Sequence, residues 1–358
     1  MSRFWSDIVN NLTPYSPGEQ PRIDKLIKLN TNENPYGPSP KVIEAIAKAN
    51  THDLRQYPDP NSTLLKNAIA DHFNFSPAQV FVANSSDEVL SHAFRAFFTQ
   101  DKPLLVPDIS YSFYAPVSNL LEITYQNIPL REDFTLNIND YLTDSISDNG
   151  GIVFANPNAP TGIALAVDEI EKLLQANTQS VVIVDEAYVD FANDSAVRLI
   201  DKYPNLLVTQ TLSKSRSLAG LRVGLALGDK QLIEGLERVK NSFHPYPLSK
   251  LALAGATAAI KDTAYFDSCV SKVIATREHT TNELTTLGFE VLPSAANFVF
   301  ATHPDCPAKK IFSALRERKI IIRYFDAARI DEYLRISIGT DQEMSVLIAA
   351  LKEILAVK

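Results

Sequence analysis

The sequence predicts an α/β protein: a large domain on a parallel sheet covered by helices on both faces, followed by a smaller α+β domain. Three observations predict it. Short apolar runs alternate with helix-length amphipathic segments from residue 80 to about residue 227. One of these runs, Val181-Val182-Ile183-Val184, is β-branched throughout, as a strand buried on both faces should be. Polar residues follow the runs at a steady interval. Asn158 and Asp185 lie 27 positions apart, and Asp185 and Lys214 lie 29 apart, each close to one strand–helix repeat of about 30 residues. That spacing gathers them at one edge of the sheet, outside the carboxyl ends of its strands, where open α/β sheets bind ligands.

The 358 residues, 45% of them hydrophobic, suffice for one large core and a smaller one. A net charge of -8 without basic clusters argues against nucleic acid or an anionic membrane as partner. Met1 to Gln20 lacks the apolar centre of a signal peptide, and no run approaches the roughly 20 apolar residues of a membrane span. Cys269 and Cys306 stand far apart, which suits a reducing cytoplasm. The six histidines are scattered, so no metal site is expected.

Residues 1–30 read as an arm that can pack with the small domain, 31–242 as the large domain and 243–358 as the small one. In the arm Pro14, Pro17, Gly18 and Pro21 forbid a long helix; Tyr15 lies there. Lys28 to Pro40 is dense in turn formers and side-chain amides, including Asn34, and reads as an irregular loop lining a cleft. Ser39 caps a helix that begins with Pro40 and runs to about Ala49. Tyr57-Pro58-Asp59-Pro60 is a rigid turn before a helix over Thr63–Phe73. Val80–Val82 is a strand that runs through small residues into a helix from about Asp87 to Phe98. Free N–H groups and the helix dipole make that junction an anion site, with Ser86 and Asp87 as backbone donors. Leu104–Val106 is the next strand; Tyr111, just past its end, is placed to stack on a flat ring. Gly151–Ala155 leads into the polar turn Asn156 to Gly162 and a helix from Val167 to about Gln175. Val181–Val184 delivers Asp185, Glu186 and Tyr188.

Leu206–Thr211 then presents Ser213 and Lys214 before a strand from Val223 to Leu227. Desolvation at the end of a buried strand favours the neutral, nucleophilic form of an amine. With hydroxyl residues and Arg222 beside it, Lys214 reads as a Schiff-base lysine next to a phosphate cup, the arrangement pyridoxal phosphate needs. Asp185 would hold the pyridinium N–H, Tyr188 would donate to the ring phenolate oxygen, and Tyr111 would stack on the ring. Ser86, Asp87, Ser213 and Arg222 would hold the phosphate. Arg335 would bind a substrate carboxylate. Beyond residue 227, helices over Lys230–Ser242, Leu248–Lys261, Tyr265–Leu287 and Pro307–Lys319 accompany short strands at Glu290–Leu292, Asn297–Ala301, Ile320–Arg323 and Tyr333–Ile338.

These motifs resemble the fold-type I aminotransferases of class I and II, most closely the branch that acts on histidinol phosphate. The likeness rests on Leu29-Asn30 through Gly37-Pro38, Tyr57-Pro58-Asp59, Ser86-Asp87-Glu88, Pro157 through Gly162, Asp185 through Tyr188, Ser213-Lys214 through Gly224, Asn297-Phe298 and Leu334-Arg335-Ile336, in family order along nearly the whole chain. It implies a mostly parallel seven-stranded sheet sandwiched by helices, with a smaller α+β C-terminal domain. It also implies amino transfer between L-histidinol phosphate and 2-oxoglutarate, giving glutamate, by a homodimer in which Tyr57 reaches the neighbouring subunit's cofactor. Tyr15, Asn34, Arg323 and Arg335 would meet the substrate. An aromatic amino-acid aminotransferase and a decarboxylase of a phosphorylated amino acid are the alternatives. Two departures stand out. The Asn usual before Pro-Thr-Gly is Ala159, leaving Asn158 or Tyr188 to contact the phenolate oxygen, and the glycines usual before the phosphate-cup Ser are Ala83 and Ser85.

Overall fold

The computed structural model describes residues 2–356 apart from 17, 22–23, 100 and 144–147; Pro17 of the arm lies outside the described residues. The chain begins with α1 (Asp7–Asn11), β1 (Ile27–Lys28), α2 (Pro40–Ala49) and α3 (Thr63–Phe73). The main sheet takes β2 (Val80–Asn84), β3 (Leu104–Pro107), β4 (Tyr125–Ile128), β5 (Gly151–Ala155), β6 (Val182–Asp185), β7 (Leu206–Thr211) and β8 (Val223–Gly228). Between its strands run α4 (Ser85–Phe97), α5 (Tyr114–Leu120) and α6 (Val167–Ala176). After it come α7 (Lys230–Phe243), α8 (Lys250–Lys261), α9 (Thr263–Thr286), β9 (Glu290–Val291), β10 (Phe298–Thr302), α10 (Ala308–Glu317), β11 (Ile320–Ile321), β12 (Arg323–Tyr324), β13 (Leu334–Ser337) and α11 (Asp341–Ala356).

The seven strands lie in the order β2-β8-β7-β6-β5-β3-β4. Only β8 runs against its neighbours; the remaining pairs are parallel. The β-branched runs are buried on both faces. Val182 and Val184 join one apolar core with Ile152, Phe154 and Val208, while Ile183 faces another with Val153 and Leu207. Alternation of side chains along a strand divides them in this way. The edge strand β4 has its middle residues in solvent, so it carries no apolar run, and the sequence pattern offers no element there. Nor does it offer α5 or α11.

The expected boundary at residue 242 does not match the packing. Helix α8 buries Ala252, Ala256, Ala259 and Ile260 in the same core as Val42 of α2 and Leu65 and Ile69 of α3. Its run of small residues allows that approach: a Cβ on Gly255 would stand 2.7 Å from Leu221 Cδ1. The layer around the main sheet thus extends to Lys261. A second core begins with α9 and closes on α10, α11 and the antiparallel sheet β12-β13-β10-β9. Leu29 belongs to this second core, and β1 pairs in parallel with β11, Ile27 opposite Ile320. The end of the arm is therefore tied to the C-terminal layer.

Candidate active site

The strand order carries the polar residues to one edge. β2, β3, β5, β6 and β7 end there, and the antiparallel β8 begins there, so Ser86, Tyr111, Asn158, Asp185, Lys214 and Arg222 converge although they span 137 sequence positions. Each apolar run buries itself and leaves the next polar residue at its open end.

At the start of α4 the chain turns sharply. Ser85 has φ +74°, the left-handed region a glycine would enter without strain. Its N–H donates to the Arg222 carbonyl at 2.9 Å. Gly224 opposite makes room: a Cβ there would lie 2.3 Å from both the Ser85 carbonyl carbon and the Ser86 nitrogen. The cup so formed presents the first N–H groups of α4, including those of Ser86 and Asp87. Side chains tie it to its surroundings. Asp87 accepts from Tyr111 Oη at 2.9 Å and from Arg222 Nη2 at 3.1 Å. Buried Ser213 keeps its hydroxyl within the turn, accepting from Thr211 Oγ1 at 3.0 Å.

Asp185 is 3% exposed and has neutral partners only. Tyr114 Oη donates to it at 2.9 Å and Thr209 Oγ1 at 3.3 Å. Burial raises its pKa to about 6, against the lowering pull of these donors. A desolvated carboxylate without a cation is suited to a cationic N–H such as a pyridinium. Neither Tyr114 nor Thr209 was among the expected residues; an aromatic in a short helix and a Thr inside an apolar strand carry no separate signal.

Lys214 Nζ donates to the Thr31 carbonyl at 3.0 Å and lies 5.8 Å from the Tyr188 ring centroid. Loop 30–34 organises this centre. The Asn30 carbonyl accepts from Arg335 Nη2 at 2.9 Å, and Asn32 Nδ2 donates to Tyr188 Oη at 2.9 Å. Asn34, expected at the substrate, is committed elsewhere. Its Nδ2 donates to the Lys214 and Ser215 carbonyls, both at 3.0 Å, and its Oδ1 accepts from Tyr36 N. It holds the lysine turn in place. Asn158 is likewise engaged, donating to Ile109 O and Thr161 Oγ1 and accepting from Ser110 Oγ. With both its donors used and Ala159 apolar, Tyr188 is left as the donor for a phenolate oxygen.

Arg323 and Arg335 are directly opposed on β12 and β13. Neither makes an ion pair among the described residues, and Arg335 Nε is buried without a hydrogen-bond partner. Burial, with the adjacent Arg323, pushes the Arg335 guanidinium below its usual pKa. Two adjacent, half-buried cations without an ion pair among the described residues have the chemistry to receive an anion. Tyr15 packs edge-on against Tyr111 and Phe113, with centroids 6.2 and 6.3 Å away, which brings the arm over the site. Tyr57 is 80% exposed, stacks on Tyr246 at 4.8 Å, and shares with Arg222 the lining of a cavity of about 510 Å³.

The donors present fit pyridoxal phosphate: an amine, a buried carboxylate, a phenol, an aromatic face and an N–H cup with an arginine. Among the described residues no cluster of three or more His, Cys, Asp or Glu side chains could hold a metal ion, and no helix is long and apolar enough to cross a membrane.

The family model for aminotransferases of class I and II matches residues 24–351. A histidinol-phosphate aminotransferase of Pseudomonas syringae pv. syringae is 55% identical over 99% of this chain and 100% of its own length. One from Bordetella parapertussis is 58% identical over 99% of both. Among solved structures, histidinol-phosphate aminotransferase from Sinorhizobium meliloti, in complex with pyridoxal-5'-phosphate, superposes with a TM-score of 0.89 at 25% identity, covering 99% of this chain and 98% of that one. A mutant aspartate aminotransferase from Thermus thermophilus has a TM-score of 0.82 at 17% identity, over 99% of this chain and 100% of its own, a likeness of fold alone.

Proposed function

The chain belongs to the aminotransferases of class I and II, and within that family we propose that it transfers the amino group of L-histidinol phosphate, using pyridoxal phosphate, with 2-oxoglutarate and glutamate as the second substrate pair. The observation that carries this reading is the unneutralised pair Arg323 and Arg335 beside the Lys214 centre. One arginine suffices for a substrate carboxylate. Two, facing each other across a strand pair, suit a doubly charged phosphate as well as the dicarboxylate of glutamate. Relatives more than half identical over almost their whole length support the same substrate.

When bound, pyridoxal phosphate supplies an electron-withdrawing ring that stabilises negative charge at the substrate α-carbon. The chain's residues do the rest. Lys214 Nζ holds the cofactor and, when free, takes up the proton leaving the substrate α-carbon; its contact with the Thr31 carbonyl fixes where that nitrogen waits. Asp185 keeps the ring nitrogen protonated, since a carboxylate this buried gains most by facing a cation. Tyr188 donates to the phenolate oxygen and Tyr111 covers the ring face. The α4 cup, Ser213 and Arg222 hold the phosphate. Arg335 orients either substrate, Arg323 selects the phosphorylated one, and Tyr15 closes over it. The active form is a homodimer in which the exposed Tyr57 turn supplies its phenol to the partner's phosphate.

The test is a half-reaction. Purified loaded protein is mixed separately with L-histidinol phosphate, L-glutamate and L-phenylalanine while the cofactor's absorption is followed. Conversion by histidinol phosphate at least about tenfold faster than by phenylalanine is expected, a difference of roughly 1.4 kcal/mol. Equal or faster conversion by phenylalanine would move the protein to aromatic amino acids. Carbon dioxide release from a phosphorylated amino acid, without a keto-acid acceptor, would make it a decarboxylase. K214A should lose the absorption of lysine-bound cofactor altogether.

A further inference from the structure

Asn32 is 1% exposed, sits at φ +56°, and makes four hydrogen bonds, every one to a residue distant in sequence. Its N–H donates to Ser337 Oγ at 2.9 Å, and Ser337 Oγ donates back to Asn32 Oδ1 at 2.9 Å. Its carbonyl accepts from Asn297 Nδ2 at 2.9 Å. Its Nδ2 donates to Tyr188 Oη at 2.9 Å.

The direction of each bond follows from the first. A backbone N–H can only donate, so Ser337 Oγ must accept from it. The serine hydrogen is then free to point at the side chain of Asn32, and the atom it meets must be the amide oxygen. The amide nitrogen therefore faces Tyr188 and donates to the phenol oxygen. With that oxygen occupied as an acceptor, the phenol hydrogen is directed away from Asn32. Tyr188 is left to donate on its other side, where Lys214 Nζ lies 5.8 Å from its ring centroid.

We propose that Asn32, oriented by Ser337, is the positioning residue that fixes Tyr188 as a hydrogen-bond donor toward the cofactor's phenolate oxygen. The proposal deepens the pyridoxal-phosphate reading and rests on it. It matters in this chain because Ala159 offers no amide and Asn158 has spent both its donors on Ile109 and Thr161. A phenol free to turn would serve as acceptor part of the time and would then repel the phenolate.

The experiment uses loaded holoenzyme and reads the pH midpoint at which the absorption of the lysine-bound cofactor changes, together with the cofactor dissociation constant. Asn32→Asp replaces a donor by an acceptor of nearly the same shape, so Tyr188 turns its proton toward residue 32. The phenolate loses its donor and the midpoint rises by about one pH unit, with weaker cofactor binding. Asn32→Ala leaves Tyr188 free to turn, so that it donates for part of the time only, and raises the midpoint by less than about a third of that. In a Tyr188→Phe background Asn32→Asp should shift it by less than half as much as in wild type, because the bond it redirects is gone. Equal shifts for Asp and Ala, or the same Asp shift with and without the Tyr188 hydroxyl, would overturn the proposal. Ser337→Ala is the second variant. It releases the amide to rotate and should raise the midpoint without adding charge; an unchanged midpoint would also overturn the proposal. Failure of wild-type protein to show the absorption at all would instead refute the cofactor reading itself.

Discussion

At the scale of single residues, the N–H cup at the start of α4 depends on an absent side chain. Ser85 already occupies a left-handed conformation at a cost of order 1 kcal/mol. The turn is held from the other side by the 2.9 Å bond from its N–H to the Arg222 carbonyl and by the room that Gly224 leaves. Gly224→Ala would press a methyl group against the Ser85–Ser86 peptide, which is backbone and cannot swing aside. The expected result is destabilisation by about 1–3 kcal/mol in denaturant titration and at least a tenfold loss of cofactor affinity, because the N–H groups of the cup are pushed apart. A variant with unchanged affinity would mean that the phosphate is held by Ser213 and Arg222 without the cup. The placement of Asp185 and Lys214 at the open ends of buried strands was legible from sequence, because each follows an apolar run. Asn32 was not, because its role lies in hydrogen-bond direction toward residues 156 and 305 positions away, which no local pattern encodes.

At the scale of elements, apolar continuity made most strands of the main sheet legible and also set the limit of legibility. β5 and β7 fall where the sequence places them, and β2, β3, β6 and β8 within about two residues of it. β4 escaped because an edge strand needs no apolar face on both sides. The position of α8 escaped because an alanine-rich helix has no pattern that says which layer it joins; only the contact with α2 and α3 decides. The start of α2 shows a local signal with a distant consequence. Ser39 Oγ accepts from Lys41 N at 3.1 Å and donates to Asp262 Oδ2, while Lys41 Nζ meets Asp262 Oδ1 at 2.7 Å. The cap thus also fastens α2 to the junction of α8 and α9. Ser39→Ala is expected to lower unfolding stability by about 1 kcal/mol or somewhat more, seen as an earlier urea midpoint with an unchanged slope. A shift no larger than that of an exposed serine would show the cap to be idle.

At the scale of the whole molecule, two buried acids set a pH dependence. Burial raises Asp185 to about 6 and Glu186 to about 7, both above their unfolded values. The folded state therefore binds these protons more tightly than the unfolded chain. The stability they contribute is complete below about pH 4 and is lost as pH rises toward 7. His92, lowered by burial to about 4, acts in the opposite sense, losing stability as pH falls from about 6.5, so a difference between variants isolates one group. Glu186 accepts from Ser195 Oγ, Ala196 N and Gln210 Nε2. For cofactor-free protein, the melting temperature of E186Q minus that of wild type should increase from pH 5 to pH 8; a flat or falling difference would refute the shift. The bonds at loop 30–34 have one more consequence. Asn30 and Asn32 each reach a residue 305 positions further along, Arg335 and Ser337. A chain still being synthesised can complete the main sheet by residue 228, yet the loop beside Lys214 lacks its partners Arg335 and Ser337 until the last strand emerges. The ribosome thus hands over the sheet first and the partners that fasten loop 30–34 near the end of synthesis.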